Sequence, residues 1–409
     1  MRFHVISLPH TNTTEDFSVC AYTEKVRKFC IMMTDLGHEV FLYAGTLNSA
    51  PCTEHIPCLS EDQRADACGG KHYVEASFDY TLPHWVTFNS NAIQAIVQRA
   101  QPQDFICVIA GLAHKIIADA FPHLMCVEFG IGYGGTFSKY RVFESYAWMH
   151  TLYGIQQPNH DANALDGIWY DAVIPGYLET EKFPFCSREE RQDYFLFVGR
   201  VVDRKGWKIA EDVCRHLGKK LIIAGPGDGQ PTYAERIGPV NPEARGILMS
   251  RAQALFVPTC YIEPFGNVNV EAQACGTPVI TTDWGAFTET VIQGVTGFRC
   301  RTFQEFIDAA NNVHKLDPLT IATHAQCNYS LEAVGLKYQT YFERLLDLWG
   351  KGWYQLRKED EHAVETRKVE EGHLGQYQNR DARRKAAKTG NSHRHEQGWP
   401  VQGQEGAVK

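Results

Sequence analysis

Two glutamates in the second half of this chain, Glu263 and Glu271, stand in an E-x7-E spacing around the turn Pro264-Phe265-Gly266-Asn267. Asn267 is a predicted N-cap, apolar positions follow at helical spacing, and Cys275-Gly276-Thr277-Pro278 supplies a glycine stop and a proline block. The spacing predicts a short helix that begins just after Glu263 and carries Glu271 in its first turns. Free amides at a helix start and in a turn attract an anion, a diphosphate above all, and Gly266 eases close backbone approach. A carboxylate beside that anion cannot serve the phosphates, because like charges repel. It must accept hydrogen bonds from hydroxyls. A site that takes phosphate on amides and hydroxyls on carboxylates suits a nucleotide sugar.

Such a device needs a sheet behind it. Val279-Ile280-Thr281-Thr282 reads as a buried strand, followed by Asp283-Trp284-Gly285-Ala286 and another short helix. Upstream, the strand Tyr194 to Val198 ends in Gly199-Arg200 and leads to Asp203-Arg204-Lys205-Gly206. Lys220 to Gly225 forms the next strand, which runs into the glycine-rich turn Gly225-Pro226-Gly227-Asp228-Gly229, and Ala252 to Pro258 resembles a strand leading to the two glutamates.

The stretch from Tyr261 to Phe298 resembles the C-terminal half of retaining GT-B glycosyltransferases of glycosyltransferase family 4. That family's pattern is E-x-F-G-x-x-x-x-E-A-x-A-C-G-T-P-V-I, then G-x-x-E and G-x-T-G-F. It stands here as Glu263, Phe265, Gly266, Glu271, Ala272, Ala274 and Cys275 to Ile280, then Gly285 to Glu289 and Gly294 to Phe298. The resemblance implies a hexosyltransferase-type enzyme whose donor is a nucleoside-diphosphate sugar. It implies that Glu263 lies against the donor sugar and that Glu271 binds the ribose hydroxyls. The family's G-R-x-x-x-x-K-G pattern, matched by Gly199, Arg200, Lys205 and Gly206, puts Arg200 and Lys205 on the donor diphosphate. Gly225, Phe265, Gly266 and Asn267 fall on the same donor side. Two fixed cations stabilise a departing nucleoside diphosphate more in the transition state than in the ground state. With Arg200, Lys205 and helix amides in that role, no metal and no resident cofactor is implied.

The first half must supply the acceptor side. Phe3 to Ser7 is a strand, Phe17 to Leu36 a helix stopped by Gly37, and Glu39 to Tyr43 a second strand. The first loop, Pro9-His10-Thr11-Asn12-Thr13-Thr14, lacks the Gly-Gly pair usual in family 4, so it either meets the donor through hydroxyls or shapes an acceptor pocket. Asn91 to Arg99 is predicted helical. The run Asp104 to Ala110 is a buried parallel strand, and His114 follows its carboxyl end, where α/β sheets place ligands. His114 is either a structural histidine or a donor to a sugar hydroxyl. The strand Leu124 to Phe129 carries Glu128 where family members often have a histidine; it orients an acceptor hydroxyl or is simply a hydrogen-bonded glutamate. In the aromatic-rich segment Lys139 to Gly154, Arg141, Glu144, Tyr146 and Trp148 form the predicted acceptor side, unless the segment is core.

Ala172 to Tyr177 resembles the family's V-I-P-N-G segment between domains. The expected organisation is an acceptor domain at residues 1–180, a nucleotide-sugar domain at 181–330, a C-terminal crossing helix at 331–355 and a disordered charged tail at 356–409. The fold class is α/β, of the GT-B kind: two Rossmann-like domains facing across a cleft. In the tail, Arg380, Arg383, Arg384, Lys385 and Lys388 form a basic run, either solvated or a hold on an anionic acceptor such as DNA or a membrane.

The 409-residue length admits two domains and extensions, and the net charge of -8 argues against a chain covered in nucleic-acid-binding surface. No stretch reaches the apolar length of a membrane span, and the start lacks the apolar core of a signal peptide. Thirteen scattered cysteines, many in apolar runs, read as reduced residues of a cytoplasmic protein. Cys52, His55, Cys58, Cys68 and His72 match no tight zinc-knuckle spacing and are expected in a loop rather than on a metal. The leading expectation is a retaining glycosyltransferase acting on a polysaccharide, glycoconjugate or modified nucleic acid. A GT-B sugar-nucleotide epimerase or hydrolase, and a non-catalytic nucleotide-sugar-binding protein, stay open beside it.

Overall fold

Short β-branched and aromatic runs ended by glycine or proline make two sets of parallel strands. The computed structural model describes residues 1–156 and 166–348, and Met1–Leu346 forms one compact unit that holds both sets. The first sheet contains β1 (Arg2–Ile6), β2 (Glu39–Ala44), β3 (Glu54–Pro57), β4 (Phe105–Val108), β5 (Met125–Ile131), β6 (Tyr140–Phe143) and β7 (Ala172–Val173). Its order is β3-β2-β1-β4-β5-β6-β7. The second contains β8 (Phe195–Val198), β9 (Leu221–Ala224), β10 (Glu235–Gly238), β11 (Leu255–Val257), β12 (Val279–Thr282) and β13 (Gly297–Cys300). Its order is β10-β9-β8-β11-β12-β13. Each sheet reverses direction of growth beside its first strand, the point at which doubly wound sheets open a ligand crevice.

Alternation along the strands sends side chains to both faces. Leu196, Ile222, Leu255 and Val279 join one core with Val270 and Phe287, while Phe195, Phe197, Ile223, Phe256 and Ile280 join the opposite core with Trp207 and Phe306. That is the pattern of a sheet covered by helices on both sides. The α/β architecture of two Rossmann-like domains is therefore as expected.

Helix bounds moved where local capping outweighed periodicity. The first helix is Ala21–Asp35, preceded by a 3-10 turn at Glu15–Phe17. The helix expected from Asn91 begins earlier, at Pro83, and runs to Val97, because proline suits a first turn whose amides are unbonded anyway. Leu331–Leu348 is a single helix. The ring of its Phe342 lies 4.7 Å from Phe3 and 4.9 Å from Phe105, and Tyr338 meets Phe29 edge-on at 5.3 Å. The chain thus returns from the second sheet to seal the core of the first. The expected end of this helix at residue 355, the 356–409 tail and its basic run from Arg380 to Lys388 lie outside the described residues.

Candidate functional site

The site is assembled at the carboxyl ends of β8, β9 and β11. Arg200 follows β8, is exposed, and takes no side-chain hydrogen bond or ion pair among the described residues. Gly225 follows β9 with a φ of 144°, and a Cβ there would run into the carbonyl oxygen of Gly199, so these two turns can touch only as glycine backbone. Lys205 ends a 3-10 turn at Asp203–Lys205. Its Nζ lies 2.9 Å from Oε2 of the buried Glu263 and 5.0 Å from the centroid of the Tyr261 ring.

The helix after the turn is Asn267–Ala274, and its cap is Gly266 at φ 83° with no side-chain cap bond. The expectation that Asn267 caps it is corrected: Asn267 is the exposed first helical residue, because only glycine fits the left-handed cap conformation reached at position 266. The first-turn amides are left without a side-chain cap, as an anion-binding helix start requires. Phe265, expected on the donor side, turns its side chain inward. Its ring is buried against Tyr329, 5.8 Å between centroids, leaving only its backbone on the turn. Glu271 is buried in the helix and meets Arg245 of the helix Pro242–Arg251: Arg245 Nη2 donates to Glu271 Oε1 at 3.0 Å.

The acceptor-side residues separate. His114 is wholly buried, with Nδ1 2.9 Å from Asn89 Oδ1 and Nε2 3.1 Å from the Ser7 carbonyl. Burial pushes its pKa down to about 3, so it is a neutral interior group with no nitrogen left for a sugar. Glu128 is buried and accepts the Phe137 and Ser138 amides, each at 2.8 Å, which pins the glycine-rich loop after β5. Burial holds its carboxyl above the usual range despite those bonds. Arg141 forks onto Asp171 at 3.0 and 2.6 Å. None of these three is presented to a ligand; each is spent on holding the first sheet's loops.

Glu144 is different. It is buried at the seam between the two sheets' domains, 2.8 Å from Lys25 Nζ, with Oε1 unpartnered among the described residues. Burial raises its pKa, Lys25 pulls it back, and Glu263 on the other side of the seam pushes it up again. The next residue, Ser145, donates through Oγ to the Pro264 carbonyl at 2.7 Å. Tyr146 and Ala147, at the start of the helix Tyr146–Gln156, give their amides to Glu289 at 2.9 and 2.8 Å. Tyr146 itself is exposed, and Trp148 donates to the Tyr133 carbonyl at 3.2 Å.

The glycine-free first loop is packed rather than open. Thr11 Oγ1 meets Thr23 Oγ1 at 2.7 Å, Thr13 Oγ1 meets Ser7 Oγ at 3.0 Å, and Asn12 takes the Leu47 amide at 3.1 Å. The Thr11 and Thr13 hydroxyls are thus used inside the protein, while the Thr14 hydroxyl is buried without a hydrogen-bond partner among the described residues. The cysteine and histidine cluster does not gather: His55 bonds the Gly45 carbonyl at 2.8 Å, Cys58 is buried, and among the described residues no three His, Cys, Asp or Glu side chains form a metal-holding group. All thirteen cysteines are free thiols.

Lys25, Ser145 and Arg245 were not singled out from the sequence, and Glu289 only as part of a motif. A lone arginine in an ordinary helix or a lysine in a helix of the other domain carries no spacing signal. Only the tertiary fold brings it to its carboxylate.

Residues 179–320 match the model of the family Glycosyl transferases group 1, a segment that holds Arg200, Lys205, Glu263 and Glu271. Glycogen synthase of Mycobacterium tuberculosis (strain ATCC 25618 / H37Rv) is 33% identical over an alignment of 147 positions, covering 31% of this chain and 35% of that protein. This chain thus spans about a third of the length of the curated relatives it matches. Among solved structures, AviGT4, a glycosyltransferase involved in avilamycin A biosynthesis, superposes with a TM-score of 0.58 at 16% identity, over 85% of this chain and 98% of that one. HepE of Anabaena, in complex with UDP and glucose, superposes with a TM-score of 0.56 at 14% identity, over 84% and 99%. At such identities the likeness establishes the fold: two Rossmann-like domains with GT-B glycosyltransferases as structural neighbours. No helix among the described residues is long and apolar enough to cross a membrane.

Proposed function

We propose that this chain moves a hexose-type sugar from a nucleoside-diphosphate sugar to an acceptor hydroxyl, with retention at the anomeric carbon. One observation carries the reading. Each site carboxylate is paired with a cation, Glu263 with Lys205 and Glu271 with Arg245, while Arg200, at the end of β8, is unpaired among the described residues. Neutralised carboxylates can bind hydroxyls next to a polyanion, and an open guanidinium fork suits phosphate. The family match over 179–320 and a structural neighbour captured with UDP and glucose support the same class of donor.

In the scheme, the bond from the anomeric carbon to the diphosphate oxygen breaks and its electron pair leaves with the nucleoside diphosphate. The acceptor oxygen bonds to the same face of that carbon, and its proton passes to the departing phosphate oxygen. Arg200 and Lys205 stabilise the charge that grows on the leaving group. Glu263 orients the hexose and Glu271 the ribose. Glu263 also keeps Lys205 from straying, since the pair is partly enclosed. The first domain selects the acceptor, and closure of the domains aligns it and sheds water. The scheme uses no resident metal or cofactor.

The test is chemical. Thermal-shift screening of UDP, GDP and ADP sugars identifies the donor, and incubation of that donor with and without sugar acceptors is followed by NMR of the anomeric proton. Retained configuration in an acceptor-dependent product is expected. A free sugar or epimer made from the donor alone, or an inverted product, would overturn the proposal.

A further inference from the structure

We infer that the rings of Phe78, Tyr22 and Tyr133 line the acceptor subsite, and that the acceptor is itself a sugar: its apolar C–H face rests on the rings and one of its hydroxyls meets Tyr22 Oη. This names the acceptor class of the proposed transfer and rests on that reading. The three rings adjoin. The Tyr22 centroid lies 5.2 Å from that of Phe78 and 5.4 Å from that of Tyr133, with the planes tilted by 47° and 50°. They form a curved wall rather than a piece of core: Phe78 keeps 41% of its surface, and Tyr22 and Tyr133 are half-buried. The backing of the wall is fixed. Phe78 packs on the buried His10 and Trp85 at 5.3 and 5.7 Å, and Trp85 Nε1 donates to the Ser77 carbonyl at 3.0 Å.

The wall leads to the donor. Tyr22 stands in the first turn of the helix Ala21–Asp35, past the carboxyl end of β1, and Lys25, one turn further on the same face, reaches Glu144 at 2.8 Å. Gly132 precedes Tyr133, and a Cβ there would lie 2.5 Å from Glu144 Oε2 and 3.3 Å from Pro264 Cβ. The rings therefore run from a rim at Phe78 to the seam beside the turn that carries Glu263, the proposed partner of the donor hexose.

The chemistry of the wall selects its ligand. Tyr133 Oη turns to Glu128 at 3.5 Å, whereas Tyr22 Oη makes no hydrogen bond among the described residues and is not shut away from solvent. Burial, with Cys20 and Glu144 nearby, pushes that phenol up to about 12, so it keeps its proton and both gives and takes a hydrogen bond. Lys25 is taken by Glu144 and by the Gly130 carbonyl at 2.9 Å, so it offers no free charge to a phosphate or carboxylate. A wholly apolar acceptor would cover Tyr22 Oη without a partner, which is costly. A pyranose matches both parts, with an apolar face for the rings and hydroxyls at its edge.

Steady-state transfer assays test this with the donor that most raises the melting temperature and two acceptor panels: methyl glycosides of common hexoses, and alkyl and aryl alcohols. Transfer to a glycoside is expected. Phe78→Ala should raise the acceptor KM about tenfold, and Tyr22→Phe, which keeps the ring, about fivefold. In both variants calorimetry should find nucleoside-diphosphate binding within about twofold of wild type. Phe78→Leu serves if the alanine variant does not fold. An acceptor KM unchanged in both variants, or transfer to the alcohols alone, would overturn the inference and leave the transfer reading standing. Donor split to free sugar, or no transfer to any acceptor, would bring down that reading and the inference with it.

Discussion

Lys205 Nζ and Glu263 Oε2 lie 2.9 Å apart, joining the turn after β8 to the turn after β11. In the proposed reaction the lysine serves two anions: the glutamate that holds it and the diphosphate that leaves. Lys205→Ala should therefore lower turnover at least tenfold. Some stability is lost as well, because the buried Glu263 carboxylate is left without its cation. Steady-state kinetics beside thermal melting measures both. Unchanged turnover in a folded variant would remove Lys205 from the site.

Arg200 is exposed and unpaired among the described residues, so it has no structural work to lose. Arg200→Ala should leave stability within about 0.5 kcal/mol of wild type while raising the donor KM or lowering kcat at least tenfold. It should also flatten the dependence of donor affinity on salt, since a phosphate contact has been removed. Identical salt slopes for the two proteins would contradict this.

Glu289 accepts the Tyr146 and Ala147 amides from the other domain, which makes it the cap of a helix it does not belong to. Glu289→Ala should cost about 1 kcal/mol, the typical worth of a cap, and should loosen the seam that Ser145 and Pro264 also share. Urea unfolding measures the first effect. Faster proteolysis near the seam, suppressed by nucleotide, measures the second. A variant with unchanged unfolding and proteolysis would leave Glu289 as a surface contact only.

His10 and His114 are buried and neutral, pushed down to about 4 and about 3 by burial. Their folded pKa values lie below the unfolded value of 6.5, so the unfolded chain gains protons first as pH falls. Their contribution is fully present above about pH 6.5 and is lost as pH drops towards 4 and 3. Glu128 and Glu144, raised by burial, change stability in the opposite sense. Comparing His114→Gln with wild type isolates one group: between pH 6 and 5 the variant should lose about 1 kcal/mol less than wild type. Equal losses in urea unfolding would contradict a neutral His114.

The strands were legible because their cause is local. β12 is four β-branched residues after a proline, and β4 is an apolar run between Pro102 and Gly111, so the residues themselves demanded burial on both faces. The E-x7-E pair and the Gly-Arg and Lys-Gly turn were legible because their chemistry is compressed into short loops. The cap at Gly266 was misread as Asn267 because side-chain preference competes there with a φ only glycine accepts. His114 and Glu128 were read at strand tips, where ligands bind, and Arg141 in an aromatic-rich segment, but their hydrogen-bond partners come from segments that spacing does not link to them. The same blindness hid Arg245, Lys25 and Ser145, whose roles exist only once two helices or two domains meet.

The most direct measurement is a crystal structure of the protein soaked with the nucleoside-diphosphate sugar that stabilises it most. The account predicts the diphosphate on Arg200 and Lys205, the ribose on Glu271 and the hexose against Glu263. A bound donor with Arg200 and Glu271 both turned from it into solvent would contradict that account.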